Sequence, residues 1–417
     1  MKICLLSYRG NMYCGGQGIY VYYLARELQK LGHQVEIIGA PPYPTPPDGV
    51  KLHKLRSYSY YQSPDDRTLG YALLRSPLNL YELATSFSGT FPEPLAFTIR
   101  AYYKLKKLLS HDRFDIIHDN QSLGYGLLWI KKMEIPVVAT IHHPIPIDRD
   151  LDIANTSNLL NKLGLMRWYS FCTMQRRVAK RMDRIITVSQ SSARDLEHHL
   201  EIPHSKLRVA LNGIDTDLFK SDDSVPKEPN SLILINSGEK PIKGVRHLLK
   251  ALQLLRGEAE AKLTVVGNTS ADGQHLKLVR EYGLEDTVTF TGRISTEELV
   301  KRYSMSEISV VPSLYEGFGL PAAEAMACSL PVIATTAGAL PEVVGQDGDA
   351  GILVPPADPH ALAAAIKRLL CDKHLRRKLG EAGRKRVETH LTWEQAAKKT
   401  LEVYQECCEC SPSTMSS

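Results

Sequence analysis

The stretch that decides the fold is residues 312–336, which read P-S-L-Y-E-G-F-G-L-P-A-A-E-A-M-A-C-S-L-P-V-I-A-T-T. It follows the apolar pair at 310–311, the end of a predicted buried strand, and Pro321 suits a first helical position, where no backbone N–H is needed. Gly317 and Gly319 allow a tight turn between strand and helix. The stretch therefore predicts a strand, a loop and a helix N-terminus whose unpaired N–H groups attract a phosphate or diphosphate.

Two carboxylates, Glu316 and Glu324, flank this turn. Because a carboxylate repels an anion, these side chains are better suited to accept hydrogen bonds from neutral hydroxyls on either side of a diphosphate. A nucleotide sugar offers such hydroxyls on its ribose and on its hexose. For Glu324 alone, a solvated acid favoured by the helix dipole is an alternative interpretation. The complete string favours a nucleotide-sugar site.

The string resembles the E-x7-E signature of the retaining glycosyltransferases of family 4, which have the GT-B fold. The resemblance covers most of the chain, from the glycines near residue 15 to the helices after residue 358. It implies that Glu316 holds hydroxyls of the donor sugar and that Glu324 holds the ribose. The turn itself is predicted to receive the diphosphate, with donor-binding residues Gly317, Phe318, Gly319 and Leu320.

Two motifs of the first half match the same family. The turn G-G-Q-G at 15–18 is by itself equally a bare glycine turn, because it lacks the spacing of the dinucleotide fingerprint. In the family this turn lies over the donor diphosphate, which implies that role for Gly16. The predicted strand that ends in T-I-H at 140–142 matches the family's T-x-H, whose histidine meets the donor sugar. That role is therefore expected of His142, although a structural histidine is commoner at a strand end.

The second half adds the loop G-E-K-P-I-K-G at 238–244. Lys243, just before a predicted helix, is suited to neutralise a leaving diphosphate without a metal. The commoner family pattern is Gly-Arg, four residues, then Lys-Gly, whereas this loop is one residue shorter and has Glu239 after the glycine. Lys240 is the candidate substitute for the family's arginine. A later loop, Gly292-Arg293-Ile294, resembles the one that borders the nucleobase, which adds Arg293 and Ile294 as donor-binding residues.

Both halves share a layout of apolar strands alternating with helices. In the first half strands are predicted at 2–7, 34–39, 115–118, 136–141, 184–189 and 207–210. In the second half they are predicted at 232–236, 261–267, 287–291, 308–311, 331–335 and 352–354. Such nearly continuous Val/Ile/Leu runs are typical of parallel sheets covered on both faces. We therefore predict an α/β fold of two doubly wound Rossmann-like domains facing a cleft, the GT-B class.

A length of 417 residues fits two domains. The polar stretch S-D-D-S-V-P-K-E-P-N, with two prolines, suits an exposed hinge between them. In the GT-B fold the last helix crosses back onto the first domain. The predicted parts are an acceptor-side domain at 1–220, a linker at 221–230, a nucleotide-sugar-binding domain at 231–390, a crossover helix at 391–407 and a tail at 408–417.

Composition and charge indicate an ordinary globular protein of the cytoplasm. The chain is 43% hydrophobic and 23% charged, and its net charge of +5 does not indicate a nucleic-acid partner. No run approaches the roughly 18 to 20 apolar residues of a membrane span, and the N-terminus reads as a strand rather than a signal peptide. The eight cysteines are expected to be free thiols.

Basic residues cluster in two predicted helices, at 100–109 and 176–184. Each helix is suited to rest on an anionic membrane surface, which would make the protein peripheral at the inner membrane face. A solvated helix face explains either cluster equally well. Aromatic residues between Tyr58 and Phe97, and the proline-rich segment at 41–47, lie where the family binds acceptors and suit a lipid-linked or glycan acceptor.

These features together predict a retaining hexosyltransferase that uses neither a metal nor another cofactor. It would move a hexose from a UDP-sugar, or next in preference from GDP-mannose, to an acceptor hydroxyl. The resemblance implies front-face attack, with the leaving phosphate assisting removal of the acceptor proton. The predicted catalytic residues are His142, Lys243 and Glu316. Two alternatives are a nucleotide-sugar epimerase, which needs a general acid and base, and a non-catalytic sugar-nucleotide binding protein.

Overall fold

The computed structural model describes residues 1–10, 16–57, 76–154, 156–222, 224–236, 238, 240–268 and 273–409. The chain forms two compact units. The first unit comprises Met1–Val188, Ser192–Ala210 and the chain from Ala396 onwards. The second comprises Ser189–Ser191 and Leu211–Gln395.

The first unit is built on a seven-stranded parallel sheet in the order β3-β2-β1-β4-β5-β6-β7. Its strands are β1 (Lys2–Ser7), β2 (Gln34–Gly39), β3 (Lys51–Lys54), β4 (Ile116–Asn120), β5 (Val137–Ile141), β6 (Arg184–Thr187) and β7 (Leu207–Val209). The helices along this part of the chain are α1 (Gln17–Lys30), α2 (Pro77–Phe87), α3 (Glu93–Leu108), α4 (Gly126–Lys131), α5 (Ile145–Ala154), α6 (Leu159–Trp168), α7 (Phe171–Ala179) and α8 (Gln190–Leu200). The strand order reverses between β1 and β4, which is where doubly wound sheets bind ligands.

The second unit is built on a six-stranded parallel sheet in the order β10-β9-β8-β11-β12-β13. Its strands are β8 (Ser231–Ile235), β9 (Lys262–Val266), β10 (Val288–Gly292), β11 (Ile308–Val311), β12 (Val332–Thr335) and β13 (Gly351–Val354). Its helices are α9 (Val245–Leu255), α10 (Gln274–Glu281), α11 (Thr296–Met305), α12 (Leu320–Ala327), α13 (Leu340–Val344), α14 (Pro359–Cys371) and α15 (Lys373–His390). Here the order reverses between β8 and β11, so the ends of these two strands mark the expected ligand site.

The apolar strands form the cores of both units, as their composition requires. In the first unit Ile117, Val137 and Ile185, from three neighbouring strands, are fully buried in one cluster. In the second unit Leu232 and Ile308 are fully buried in another. Burial of apolar surface stabilises the folded state by about 25 cal/mol per Å², so these clusters are the main source of stability. Two parallel α/β units confirm the predicted fold class.

Every strand predicted from the sequence is present, and one further strand was missed. β3 is short, charged at both ends and lies at the edge of its sheet, so it lacks the apolar run that revealed the others. The predicted helix at 176–184 was wrong at its end. α7 stops at Ala179 and Arg184 opens β6, where Ile185 continues into the core. The basic residues predicted for one helix therefore divide between a helix, a turn and a strand.

The final helix, α16 (Trp393–Glu409), belongs to the first unit from Ala396 onwards. Tyr404 is completely buried there. Glu406 accepts hydrogen bonds from the guanidinium groups of Arg184 and Arg208, with an N–O distance of 2.9 Å to each Nε atom. Arg208 binds both carboxylate oxygens, a bidentate contact that is among the stronger polar contacts in proteins, whereas both donors of Arg184 reach Oε1. They fix the last helix against β6 and β7.

Helix α6 exposes an unusual number of apolar side chains. None of its residues is buried, and Leu159 and Leu160 are 71% and 75% exposed. Leu163 and Met166 are also exposed. Among the described residues, no helix is both long and apolar enough to cross a membrane. The apolar face of α6 is therefore a surface feature of the first unit.

Two glycines inside helices give a test of the packing. Gly380 on α15 lies so close to α12 that a Cβ atom would stand 2.1 Å from the carbonyl oxygen of Ser329. Gly380→Ala should therefore lower the free energy of unfolding by about 1–3 kcal/mol. Gly164 on α6 has open space around it, so Gly164→Ala should raise the free energy of unfolding by about 0.5–1 kcal/mol. Denaturant unfolding of both variants checks this, and equal effects would contradict the packing.

Candidate functional site

Two loops of the second unit come together at the point where the strand order reverses. The segment at 240–244 lies between β8 and α9, and the loop at 312–319 follows β11. Leu314 donates its N–H to the carbonyl of Ile242 over 2.7 Å. Gly244 has φ +66°, and a Cβ atom there would stand 1.9 Å from the carbonyl oxygen of Pro312. Only glycine permits this approach, which places the predicted lysine loop against the predicted glutamate loop.

Lys243 and Glu316 meet directly. The Lys243 Nζ atom lies 2.7 Å from Oε1 of Glu316, and their side chains are 21% and 11% exposed. Ser313 donates its hydroxyl to the same carboxylate oxygen over 2.8 Å. An ammonium has three donor hydrogens, so Lys243 can keep this contact and still donate to a phosphate oxygen. The structure thus joins two residues that the sequence analysis had predicted separately.

The glutamate loop is held from behind by a second glycine. Gly338 has φ +58°, and a Cβ atom there would stand 2.2 Å from the carbonyl oxygen of Glu316. Ala339 donates its N–H to that oxygen over 2.9 Å. The backbone of Glu316 therefore has a fixed position, which a side chain at position 338 would disturb.

Helix α12 begins one residue before the predicted position. Gly319, with φ +99°, is its N-cap and provides no side-chain cap, and Leu320 is its first residue. Pro321 is consequently the second helical residue, one place later than predicted. Phe318 is buried and anchors the turn. The N–H groups of Ala322 and Ala323 donate to the carbonyl of Gly319, and Pro321 has no N–H. The N–H group of this helix start that suits an anion is therefore that of Leu320.

Glu324 occupies a different environment from Glu316. It is partly buried on α12, and the hydroxyl of Tyr303 donates to its Oε2 atom over 3.3 Å. Burial raises the pKa of Glu324 to about 7, because no cation offsets the loss of hydration. A ligand that donates hydrogen bonds to this carboxylate would favour its charged form.

The remaining donor-binding candidates of this unit are Lys240, Arg293 and Ile294. Lys240 is exposed at the start of the loop that carries Lys243. Arg293 is exposed after β10, and Ile294 is half-buried. Among the described residues, no hydrogen bond or ion pair joins Lys240 or Arg293 to Glu316 or Glu324. The structure therefore positions Lys243, and not Lys240, against Glu316.

In the first unit His142 lies directly after β5 and is held from three sides. Its backbone N–H donates to Oε1 of Gln121 over 2.8 Å, and its ring Nε2 lies 2.7 Å from Oδ1 of Asn120. The ring of Tyr20 packs edge-on against its ring at 4.6 Å. Burial lowers the pKa of His142 to about 4, so the imidazole is neutral at neutral pH.

Asn120 also fixes the tautomer of His142. Its Nδ2 donates to the carbonyl of Gln17 over 3.2 Å, so its Oδ1 faces the histidine and must accept a proton from Nε2. The Nδ1 atom of His142 is then a hydrogen-bond acceptor, suited to a ligand hydroxyl. Gln17 opens α1 beside Gly16, which has φ +72° and serves as the N-cap. Asn120 thus connects the glycine turn to His142.

Several partners of the predicted residues were missed in the sequence. They are Asn120, Gln121, Ser313 and Tyr303, each of which orients a candidate residue. The available signal was polarity at a strand end, since Asn120 closes β4 and Ser313 follows β11. Other predicted features lie outside the described residues: Gly15, Glu239 and the aromatic residues Tyr58, Tyr60, Tyr61 and Tyr71.

The arrangement in the second unit suits recognition of a diphosphate with hydroxyl groups on both sides. The ammonium of Lys243 and the N–H group of Leu320 are available to the anion, and the two glutamates are available to the hydroxyls. Within the described ranges, no group of three or more His, Cys, Asp or Glu residues is placed to hold a metal ion. Lys243 is the cation that the structure itself provides at this place.

Comparison with known proteins identifies the family. The description "Glycosyltransferase Family 4" matches residues 14–218, and "Glycosyl transferases group 1" matches residues 216–386. The MMP alpha-(1->4)-mannosyltransferase of Mycolicibacterium hassiacum is 42% identical over 409 residues, which span 97% of this chain and 98% of that protein.

Solved structures agree on the fold. Sucrose-phosphate synthase from Thermosynechococcus elongatus has a TM-score of 0.73 and 25% identity, with coverage of 98% of this chain and 100% of that one. Anabaena HepE, solved in complex with UDP-glucose, has a TM-score of 0.69 and 16% identity, with coverage of 97% and 100%. These likenesses confirm the GT-B class. The family matches and a relative of 42% identity along almost the whole chain show that it belongs to glycosyltransferase family 4.

Proposed function

We propose that this glycosyltransferase moves a mannosyl group from a nucleoside diphosphate mannose to a hydroxyl of a glycan or lipid-linked acceptor, with retention of anomeric configuration. The observation that carries the proposal is the contact of Lys243 with Glu316 beside the uncapped start of α12. It offers a cation and backbone donors for a diphosphate and a carboxylate for sugar hydroxyls. Family membership favours transfer over epimerisation or binding without catalysis.

The sugar is inferred from the mannosyltransferase relative. Its printed name describes an alpha-(1->4)-mannosyltransferase, and it aligns along 97% of this chain. GDP-mannose is therefore placed ahead of the UDP-sugars, which reverses the order expected from the sequence. The UDP-glucose complex of HepE argues only for the fold, because that protein is 16% identical.

Retention is supported by the same relative. Nucleoside diphosphate mannose carries its sugar in the α configuration, and the relative's name states an alpha linkage. An α donor that gives an α product retains configuration. No protein nucleophile is needed if the acceptor attacks from the face that the diphosphate leaves and a phosphate oxygen takes the acceptor proton.

In this mechanism the protein binds, orients and stabilises charge. Lys243 donates to the departing diphosphate, and the N–H group of Leu320 at the start of α12 does the same. Glu316, fixed by Ser313 and by its backbone contact with Ala339, accepts from hydroxyls of the sugar. Glu324 accepts from the ribose hydroxyls. Orientation of this kind accounts for much of the rate gain expected of such an enzyme.

His142 has a different part in the proposal. It is neutral and presents Nδ1 as an acceptor, so it can bind a hydroxyl of the donor sugar but cannot stabilise a negative phosphate as a cation. This division leaves charge stabilisation to Lys243. The Gly16 turn is held to the same cluster through Gln17 and Asn120.

The acceptor side is proposed from exposed groups of the first unit. The apolar face of α6 follows β5 and α5 in the chain, after His142. Near the end of α3, Tyr103 is 62% exposed and Lys106 and Lys107 are exposed. The basic residues around α7 are less available, because Arg176 and Lys180 both pair with Glu201. We propose that α3 contacts an anionic membrane surface that carries or adjoins the acceptor.

Donor binding should depend on pH through Glu324. Because its pKa is about 7, the carboxylate is mostly protonated at pH 6 and mostly charged at pH 8. Ribose hydroxyls bind the charged form, so GDP-mannose should bind about tenfold more tightly at pH 8 than at pH 6. Calorimetric titration measures this, and the diphosphate of a sugar nucleotide has no proton to lose in that interval.

The control is Glu324→Gln, which should bind GDP-mannose weakly and equally at both pH values. UDP-glucose titrated in parallel tests the choice of nucleotide. Wild-type affinity that does not change with pH would contradict the ribose role of Glu324. Tight binding of UDP-glucose without binding of GDP-mannose would contradict the proposed donor.

Removal of the Lys243 ammonium should slow the reaction more than it weakens donor binding. Lys243→Ala should lower kcat on the order of a hundredfold, by comparison with the loss of one donor to a developing anion. Lys262→Ala, an exposed lysine at the start of β9, is the matched control and should leave kcat unchanged. Steady-state transfer assays give both values. Unchanged turnover in Lys243→Ala would exclude its role at the leaving group.

The membrane proposal predicts sedimentation with vesicles. At low salt the protein should co-sediment with vesicles containing anionic lipid and not with neutral vesicles. Replacement of both Lys106 and Lys107 by Ala should weaken binding about thirtyfold, since each lysine near the surface contributes about 1 kcal/mol. Equal sedimentation with neutral vesicles, or no loss in the double variant, would refute the charged contact of α3.

A further inference from the structure

A continuous chain of buried polar groups runs through the first unit from the last helix to His142. The hydroxyl oxygen of Tyr404 on α16 lies 2.5 Å from Nδ1 of His118 on β4. The other nitrogen of His118 lies 2.7 Å from the hydroxyl oxygen of Thr140 on β5. That oxygen lies 2.9 Å from the hydroxyl oxygen of Tyr20 on α1, and the ring of Tyr20 packs against His142.

The chain is shielded from solvent throughout. Tyr404 and Thr140 are 0% exposed, His118 is 1% exposed and Tyr20 is 4% exposed. In such surroundings a hydrogen bond that is removed leaves a buried polar atom unsatisfied, so each member holds the next in place. Burial also lowers the pKa of His118 to about 3. The neutral ring has one donor and one acceptor, and both are used in the chain.

The end of the chain reaches two residues proposed to bind the donor. Tyr20 contacts the ring of His142 edge-on, at an interplanar angle of 78°. Its own backbone N–H donates to the carbonyl of Gly16 over 2.9 Å. A shift of Tyr20 would therefore move the support of His142 and the first turn of α1 together.

We propose that Tyr404 is a positioning residue for the transfer reaction, acting through His118, Thr140 and Tyr20 on the orientation of His142. This inference rests on the proposed role of His142 at the donor sugar. In this inference the last helix contributes to the reaction through Tyr404, whereas the ion pairs of Glu406 contribute to stability. Small displacements of a group that orients a substrate are costly, about a hundredfold for 1 Å.

The test compares two variants of the same helix. Tyr404→Phe removes the hydroxyl that reaches His118 and should lower kcat about tenfold, with a smaller change in the donor KM. Glu406→Gln weakens the contacts to Arg184 and Arg208, so it should lower the melting temperature but keep kcat within about twofold of wild type. Both are assayed well below their melting temperatures with GDP-mannose and a mannosyl acceptor.

A second variant, Thr140→Val, breaks the same chain in its middle. Combined with Tyr404→Phe it should lower kcat no further than the stronger single change, because one path is lost in both. Multiplied effects in the double variant would overturn the inference, as would wild-type kcat in Tyr404→Phe. Lys243→Ala distinguishes failure of this inference from failure of the proposed function. If Lys243→Ala lowers kcat about a hundredfold while Tyr404→Phe has no effect, the proposed function stands and only this inference falls.

Discussion

The close approach of two loops in the second unit is the constraint on which the candidate site depends. Gly244 lies against the carbonyl of Pro312 at a distance that no side chain allows. That approach brings Lys243 to Glu316, although 73 residues separate them in the chain. The sheet supplies the reason, because β8 and β11 are neighbours where the strand order reverses and both loops leave from the same edge.

The two glutamates show how one site treats similar groups differently. Glu316 has a cation and a hydroxyl as partners, whereas the partner that the described part of the chain gives the Glu324 carboxylate is the phenol of Tyr303. Burial without a cation raises the pKa of Glu324 to about 7. We propose that the ribose of the donor supplies further hydrogen bonds to this carboxylate.

Local patterns predicted the elements of the fold, and tertiary contacts supplied the rest. Continuous apolar runs revealed the buried strands but not β3, an edge strand with charged ends. The glycine turn predicted the start of α12 to within one residue. The contacts of Asn120 with His142 and of Tyr303 with Glu324 could not be predicted, because each joins residues from separate elements and leaves no local period in the sequence. The basic helix was extended too far, to residue 184, since charge alone does not show where a helix ends; the apolar run of the strand predicted at 184–189 placed Arg184 correctly at the start of β6.

The most direct test of the account is the configuration of the product formed from GDP-mannose and an α-mannosyl oligosaccharide. Nuclear magnetic resonance of the isolated product, by its one-bond carbon–hydrogen coupling at the new anomeric centre, distinguishes the two configurations. The account predicts a single added mannose in α linkage, formed by wild type and not by Glu316→Ala. A β-linked product would contradict retention, and wild-type yield from Glu316→Ala would contradict the site.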